Sequence, residues 1–230
     1  IIIPVYNEKE NIKFVLSALQ EHVKVPFRVL ICYDCDDDNT LPAVNEFRNT
    51  ANFEIDLIKN DGRGVHSAVR TGFHFCQSNA VLVYMADDDY NAGIINRMYS
   101  MIDKEGYDVV VPSRFMNGGS TVGAPQIKLS VVKLASFTLH WLAHIPVKDA
   151  TNGFRMFSKR VIDQINIESR DGFTYSIELL VKCHRLGWKI GEVPALWFER
   201  KNGKSRFLFL KWLPRYLRWY YYAFETAYFK

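Results

Sequence analysis

The chain has 230 residues, 48% apolar and 23% charged. That balance excludes wholesale disorder and leaves room for one ordinary α/β domain with a large core. Its 29 basic and 25 acidic residues leave a net charge of +4, too weak an excess to argue for nucleic acid. Four scattered cysteines, Cys32, Cys35, Cys76 and Cys183, are too few for a disulfide framework and read as the reduced thiols of a cytosolic setting.

In chain order, Ile1 to Val5 reads as the middle of a strand, so further residues are expected ahead of Ile1. Asn7, with Glu10 three residues on, forms a capping box. It precedes a helical stripe of Ile12, Val15, Leu16 and Leu19. Strands are expected over 27–33, 53–58, 80–85 and 107–112, with helices over 40–50, 64–77 and 94–104 between them. The second half is less regular. Helices are expected over 127–144 and 176–186, a strand over 189–198, and an aromatic, basic helix from Leu208 onward. No uncharged apolar run reaches the roughly 18 residues of a membrane span. The nearest, Leu129 to Val147, contains Lys133, His140 and His144.

Strands alternating with helices predict the α/β class, with a mostly parallel, Rossmann-like central sheet and helices on both faces. Ligands of such sheets bind beyond the carboxyl ends of the strands. Tyr6-Asn7-Glu8, Asp34 and Asp87-Asp88-Asp89 all fall at such ends, and their convergence says more than any one of them.

The cluster from Asp34 to Asn39 starts like a calcium loop, but Asn39 replaces the turn glycine and position twelve is Asn45, so that reading fails. The cluster at Asp87 fails the same test, with Met98 at position twelve. Hard carboxylate oxygens there suit a divalent cation whose shell is completed by a substrate diphosphate. In an extended segment residues i and i+2 point the same way. Asp87 and Asp89 are therefore the expected Mg²⁺ or Mn²⁺ pair, with Asp88 turned aside. His140 and His144 lie on one helical face but lack the further ligands of a zinc site, and read as a packed or partly exposed pair.

Taken together, these segments resemble a family 2 glycosyltransferase of the GT-A fold, in the dolichol-phosphate mannosyltransferase-like branch. Ile3-Pro4-Val5-Tyr6-Asn7-Glu8 matches the PxYNE strand, which in that family binds base and ribose. Tyr33 to Thr40 resembles DDxSxDxT, which places Asp34 on the base. Gly62-Arg63-Gly64 resembles the glycine-containing turn beside the nucleotide. Met85 to Asp89 falls at the DxD metal motif. Val111 to Phe115 resembles GSRY, and Asp149 to Arg155 resembles DxxSGFR near the acceptor phosphate. Glu192-Val193-Pro194, Arg200 and Gly203-Lys204-Ser205-Arg206 resemble the EVP and RxxGxSK ending. The chain departs from the pattern at Met85, which holds the first Asp position in one register, at Tyr33, at Asn152 for Ser and at Arg206 for Lys.

The resemblance implies inverting transfer of a sugar from GDP-mannose or a UDP-hexose to a polyprenyl or dolichyl phosphate. Pro4, Tyr6, Asn7, Glu8, Asp34, Gly64, Asp87, Arg200, Ser205 and Arg206 are the implied nucleotide-sugar contacts. Arg114, Asn152 and Arg155 are the implied acceptor-phosphate contacts. A glycan hydroxyl acceptor would instead need a carboxylate base, with Asp149 and Glu178 as candidates. A third reading is a non-catalytic nucleotide-sugar-binding module at a membrane.

Residues 1–206 are expected to form the catalytic domain. Residues 207–230 are expected as an amphipathic helix, which either lies on a membrane surface or packs on the domain or on a second subunit of a homo-oligomer. Its basic residues alternate with Trp and Tyr, as in interfacial helices. The expected setting is the cytoplasmic face of a membrane.

Overall fold

Runs of Val, Ile and Leu build the sheet at the centre of the molecule. The computed structural model describes residues 1–198 and 209–229, apart from the side chains of 128 and 209–213. The strands are β1 (Ile2–Pro4), β2 (Arg28–Tyr33), β3 (Glu54–Lys59), β4 (Ala80–Val83), β5 (Val109–Ser113), β6 (Ser120–Val122), β7 (Arg155–Ser158), β8 (Ile190–Pro194) and β9 (Leu196–Phe198). The helices are α1 (Lys9–His22), α2 (Thr40–Arg48), α3 (Val65–Phe75), α4 (Ile95–Asp103), α5 (Gln126–Trp141), α6 (Lys159–Gln164), α7 (Thr174–Arg185) and α8 (Phe209–Phe229). Seven strands form one sheet in the order β3-β2-β1-β4-β7-β5-β8, and β6 pairs with β9 in a separate two-stranded sheet. The sheet is parallel except at β7, which runs antiparallel to both β4 and β5.

Alternate residues of each strand enter opposite core layers, as the period of two requires. Ile2, Leu30, Val81, Val83, Val109 and Phe157 enter one layer, with α3, α7 and part of α8. Ile3, Ile31, Leu82, Val110 and Met156 enter the other, with α1, α2 and α4. A strand covered on both faces reads as a continuous apolar run, which is why these strands were legible. Burying each such side chain contributes about 1.5–3 kcal/mol.

Gly72 in α3 lies hard against β1, where a Cβ would stand 2.5 Å from Ile2 Cγ2. Ile2 is fully buried and cannot give way. Gly72→Ala is expected to lower stability by about 1–2 kcal/mol net, the overlap exceeding the regained helix propensity. An unchanged midpoint in urea unfolding would contradict this close packing.

Some expectations need correction. Asn7 does not cap α1: its φ is +55°, and Glu8 holds the N-cap position with no side-chain cap bond. The expected strand over 189–198 is two strands belonging to different sheets. β6, β7 and α6 were not anticipated. Of the two settings expected for the C-terminal helix, packing on the domain is what its Trp219 face shows. Trp219 Nε1 donates to Ser169 Oγ at 3.1 Å, and Tyr220 donates to Thr138 Oγ1 at 2.7 Å.

Candidate active site

The carboxyl ends of the parallel strands open into one large cleft of about 1010 Å³. Its polar end is lined by Pro4, Tyr6 and Glu8 after β1, Asp34 after β2, Gly64 at the start of α3 and Asp87 after β4. Arg114 after β5 and Asn152 before β7 complete that end. Because β7 runs backwards, the chain enters it at the same edge. The cleft is also lined by Leu129, Val132, Leu134 and Leu139 of α5, by Tyr216, Leu217 and Tyr220 of α8, and by the charged pair of residues Arg170 and Asp171 before α7.

At the polar end Asp34 is held by two donors, Asn60 Nδ2 and the Gly64 amide, both at 2.8 Å. Gly64 takes φ +85°, a backbone region glycine enters freely. Asn7 does not line the cleft, contrary to expectation. Its amide donates to Asp38, its Oδ1 accepts from the Asn39 amide at 3.2 Å, and Asp38 also accepts from the Thr40 amide at 2.8 Å. The residue thus ties the loop after β1 to the loop after β2.

The acidic run lies in a turn past the end of β4, not in an extended segment, so Asp87 and Asp89 do not line the cleft together as expected. Asp87 is half-buried and lines the cleft, while Asp89 is exposed and stands off it. Asp88 turns inward and is buried. It accepts from the Asn91 amide at 2.9 Å, from Asn91 Nδ2 at 2.7 Å and from the Tyr90 amide at 3.3 Å. Burial pushes its carboxyl up to about 6, against the pull of those donors.

Asp149 and Arg114 form a bidentate pair. Arg114 Nε donates to Oδ2 at 2.6 Å, Nη2 to Oδ1 at 2.8 Å and the Arg114 amide to Oδ2 at 3.1 Å. Burial opposes both charges, yet their mutual attraction and hydrogen bonding win. The Asp149 carboxyl is held below the usual carboxylate range and the Arg114 guanidinium above its own. Asp149 is fully buried and off the cleft, which corrects its reading as a general base. Both of its oxygens are taken up by the Arg114 side chain.

Glu178 is corrected in the same way. It is fully buried and accepts from the Glu168 amide at 2.6 Å, the Ser169 amide at 2.8 Å, the Ser169 hydroxyl and Lys182 Nζ at 2.7 Å. It knits the chain before α7 and does not line the cleft.

Arg155, expected on the acceptor phosphate, is also fully buried and off the cleft. It donates to the Ser176 carbonyl and, at 3.2 Å, to the Ala150 carbonyl, and burial pulls its pKa down to about 10. Its reach is to the loop bearing Asn152, whose Nδ2 donates to the Pro112 carbonyl at 2.9 Å. Arg200, Ser205 and Arg206 lie outside the described residues.

Sequence reasoning missed Arg63 and His66, which line the cleft. Arg63 could have been found from its place between Gly62 and Gly64. His66 is buried with neither ring nitrogen hydrogen-bonded, and burial, then Arg70, pushes its pKa down.

No group of three or more His, Cys, Asp or Glu residues suited to a metal occurs among the described residues. A cation here would have only one or two carboxylates from the protein. That donor set fits Mg²⁺ or Mn²⁺ sharing a diphosphate, which characteristically take one or two carboxylates plus substrate oxygens.

The family described as Glycosyl transferase family 2 matches residues 1–165. Polyprenol monophosphomannose synthase of Mycolicibacterium smegmatis is 26% identical over 212 residues, covering 90% of this chain and 79% of that protein. Dolichol-phosphate mannosyltransferase of Pyrococcus furiosus is 25% identical over 231 residues, covering 95% of this chain but only 63% of that protein. Among solved structures, glucosyl-3-phosphoglycerate synthase of Mycobacterium tuberculosis superposes at TM-score 0.67 in complex with Mn²⁺, UDP and glucosyl-3-phosphoglycerate. Its Mg²⁺ and UDP complex superposes at 0.68. Both are 13% identical to this chain and cover 98% of it and 77% of that one, a likeness of fold: the GT-A architecture.

Proposed function

We propose, from the premise that this chain belongs to glycosyl transferase family 2, that it moves a sugar from a nucleotide-sugar onto the phosphate of a polyprenyl-type lipid. The observation that carries this reading is the mixed lining of one cleft. Carboxylate- and arginine-bearing loops at the strand ends share it with apolar side chains of α5 and α8. The names of the two curated relatives support the same acceptor class.

Asp34, Gly64, Pro4 and Tyr6 would bind the nucleotide, and Asp87 would hold a divalent cation, with Asp89 as its second carboxylate. Bound Mg²⁺ or Mn²⁺ would supply positive charge to the departing diphosphate. Arg114, aimed by Asp149, would receive the acceptor phosphate, a geometry that guanidinium forks suit. Asn152 would border it, with Arg155 holding its loop from behind. A phosphomonoester has a second pKa of about 6 and is largely ionised at pH 7, so it attacks the anomeric carbon without a strong base. That both carboxylates considered as bases are buried and engaged supports a phosphate over a sugar hydroxyl. Arg200, Ser205 and Arg206 stay in the proposal as diphosphate contacts.

The setting proposed is the surface of a membrane, on its cytoplasmic face. No helix among the described residues is long and apolar enough to cross a membrane. However, α5 exposes Ile127, Leu134, Phe137 and Trp141, at 83%, 64%, 57% and 62%. Leu134→Glu is expected to cut co-sedimentation with anionic vesicles several-fold. Equal co-sedimentation would remove α5 from that surface.

The deciding experiment is nucleoside diphosphate release from a panel of GDP- and UDP-sugars with Mn²⁺, with and without a short polyprenyl phosphate. Release that requires the lipid phosphate is the expected result. Release only with a glycan acceptor would overturn the acceptor assignment. Binding without release from any donor would favour a non-catalytic module.

A further inference from the structure

We infer that Asn91 is a positioning residue of the transfer reaction: its side chain fixes the carboxylate-bearing loop after β4 to strand β9, and through it to the lip carrying Arg114. This rests on the transferase reading above.

Asn91 is 3% exposed and Asp88 6%. A primary amide has two donor hydrogens and one acceptor oxygen, and every one is used here. One Nδ2 hydrogen goes to Asp88 Oδ2 at 2.7 Å and the other to the Leu196 carbonyl at 2.9 Å. The oxygen accepts from the Leu196 amide at 3.0 Å. The side chain therefore occupies the place a neighbouring strand would take against β9, 105 residues away in sequence. Tyr90 adds a second tie, stacking edge-on against Phe198 at 4.7 Å and accepting from the Phe198 amide at 3.3 Å.

The connection continues across the cleft. The amide of Ala195, next to Leu196, donates to the Ser113 carbonyl at 3.0 Å, and Arg114 follows Ser113. Ala195 in turn accepts from the Ser120 amide at 3.0 Å, where β6 pairs with β9. The loop bearing Asp87 and the residue before Arg114 are thus bonded to adjacent positions, the first through Asn91 to Leu196 at the start of β9 and the second through Ser113 to Ala195 just before it. Buried, fully satisfied networks of this kind set geometry sharply, and transfer requires donor and acceptor phosphates to be held in a fixed relation.

The test uses Asn91→Ala and Leu196→Pro, the second removing the amide that Asn91 accepts while leaving the acidic loop untouched. The readouts are amide hydrogen exchange at Phe198 and the gain in affinity for GDP and UDP on adding Mn²⁺, by calorimetry. In Asn91→Ala, exchange at Phe198 is expected to quicken at least about tenfold. The Mn²⁺-dependent gain should fall about tenfold, the factor a lost charge-assisted hydrogen bond carries, with metal-free affinity unchanged. Faster exchange with the Mn²⁺ gain intact would make the clasp purely structural and overturn the inference. If Asn91→Ala does not fold, Leu196→Pro decides by the same two readouts. A native chain with no Mn²⁺-dependent gain for either nucleotide would sink the transferase reading and this inference together. A native gain that the variants keep would sink the inference alone.

Discussion

Asp87→Asn is expected to lower turnover on the order of 10²–10³-fold with thermal stability unchanged, the scale on which removing one preorganised charge partner acts. The side chain lines the cleft and makes none of the hydrogen bonds that hold Asp88, so its replacement leaves the buried Asp88 network in place. Metal-free nucleotide affinity should persist, because Asp34 and the Gly64 turn lie on other strands. Asp89→Asn separates the two carboxylates. A comparable loss makes Asp89 the second ligand, and full activity with Mn²⁺ excludes it. Full activity in Asp87→Asn would remove the acidic loop from the chemistry altogether.

Arg114→Ala is expected to be the most destabilising single change at the site. It leaves the Asp149 carboxylate fully buried beside a vacated partner, which typically costs about 3–5 kcal/mol. In a chain of this size the melting temperature should fall roughly 6–20 °C. The pH dependence should also reverse. In the native protein the Asp149 carboxyl is held below its unfolded value. Its contribution is therefore full above about pH 4, the ordinary aspartate range, and is lost as pH falls through the lower folded value. Without Arg114, burial, the largest influence, outweighs the remaining pull of Arg155 and the Thr151 hydroxyl and raises the folded value, so the variant should gain stability as pH falls from neutral toward 5. A variant whose stability is flat across that range would mean that Asp149 finds another partner. Activity that survives in folded Arg114→Lys with an unchanged KM for the lipid phosphate would remove Arg114 from the acceptor site.

The strands with buried faces were legible because Ile2-Ile3, Val29 to Cys32 and Val81 to Val83 carry unbroken apolar runs. β7 was not, because it is four residues long and begins with Arg155, a residue whose burial no pattern announces. The polar cleft residues were legible where strand ends supplied them, as at Tyr6, Asp34 and Asp87. What composition and spacing could not convey was which carboxylates are already engaged. Asp149 is bonded to Arg114, 35 residues away, and Glu178 to the chain at Glu168 and Ser169. Both carry the right chemistry for a base and neither is free to act as one. Asn91 escaped notice for a related reason: its role lies in a strand far along the chain. The capping box at Asn7 failed because the cross-link to Asp38 and Asn39 takes precedence over the local cap.

The backward strand, fifth of the seven, also sets an order of assembly. β5 is paired on one side by β7 and on the other by β8, and both come later in the chain. Until Pro194 has been made, the Val109-Val110-Val111 run has an open edge on at least one side. At ordinary synthesis rates, roughly 80 residues take about 4–16 s. Exposed apolar edges of this kind are where chains associate wrongly. Fragments ending between β5 and β8 should therefore be poorly soluble even though they contain the cleft loops bearing Asp34 and Asp87, and the ribosome-bound chain passes through the same vulnerable interval each time it is made.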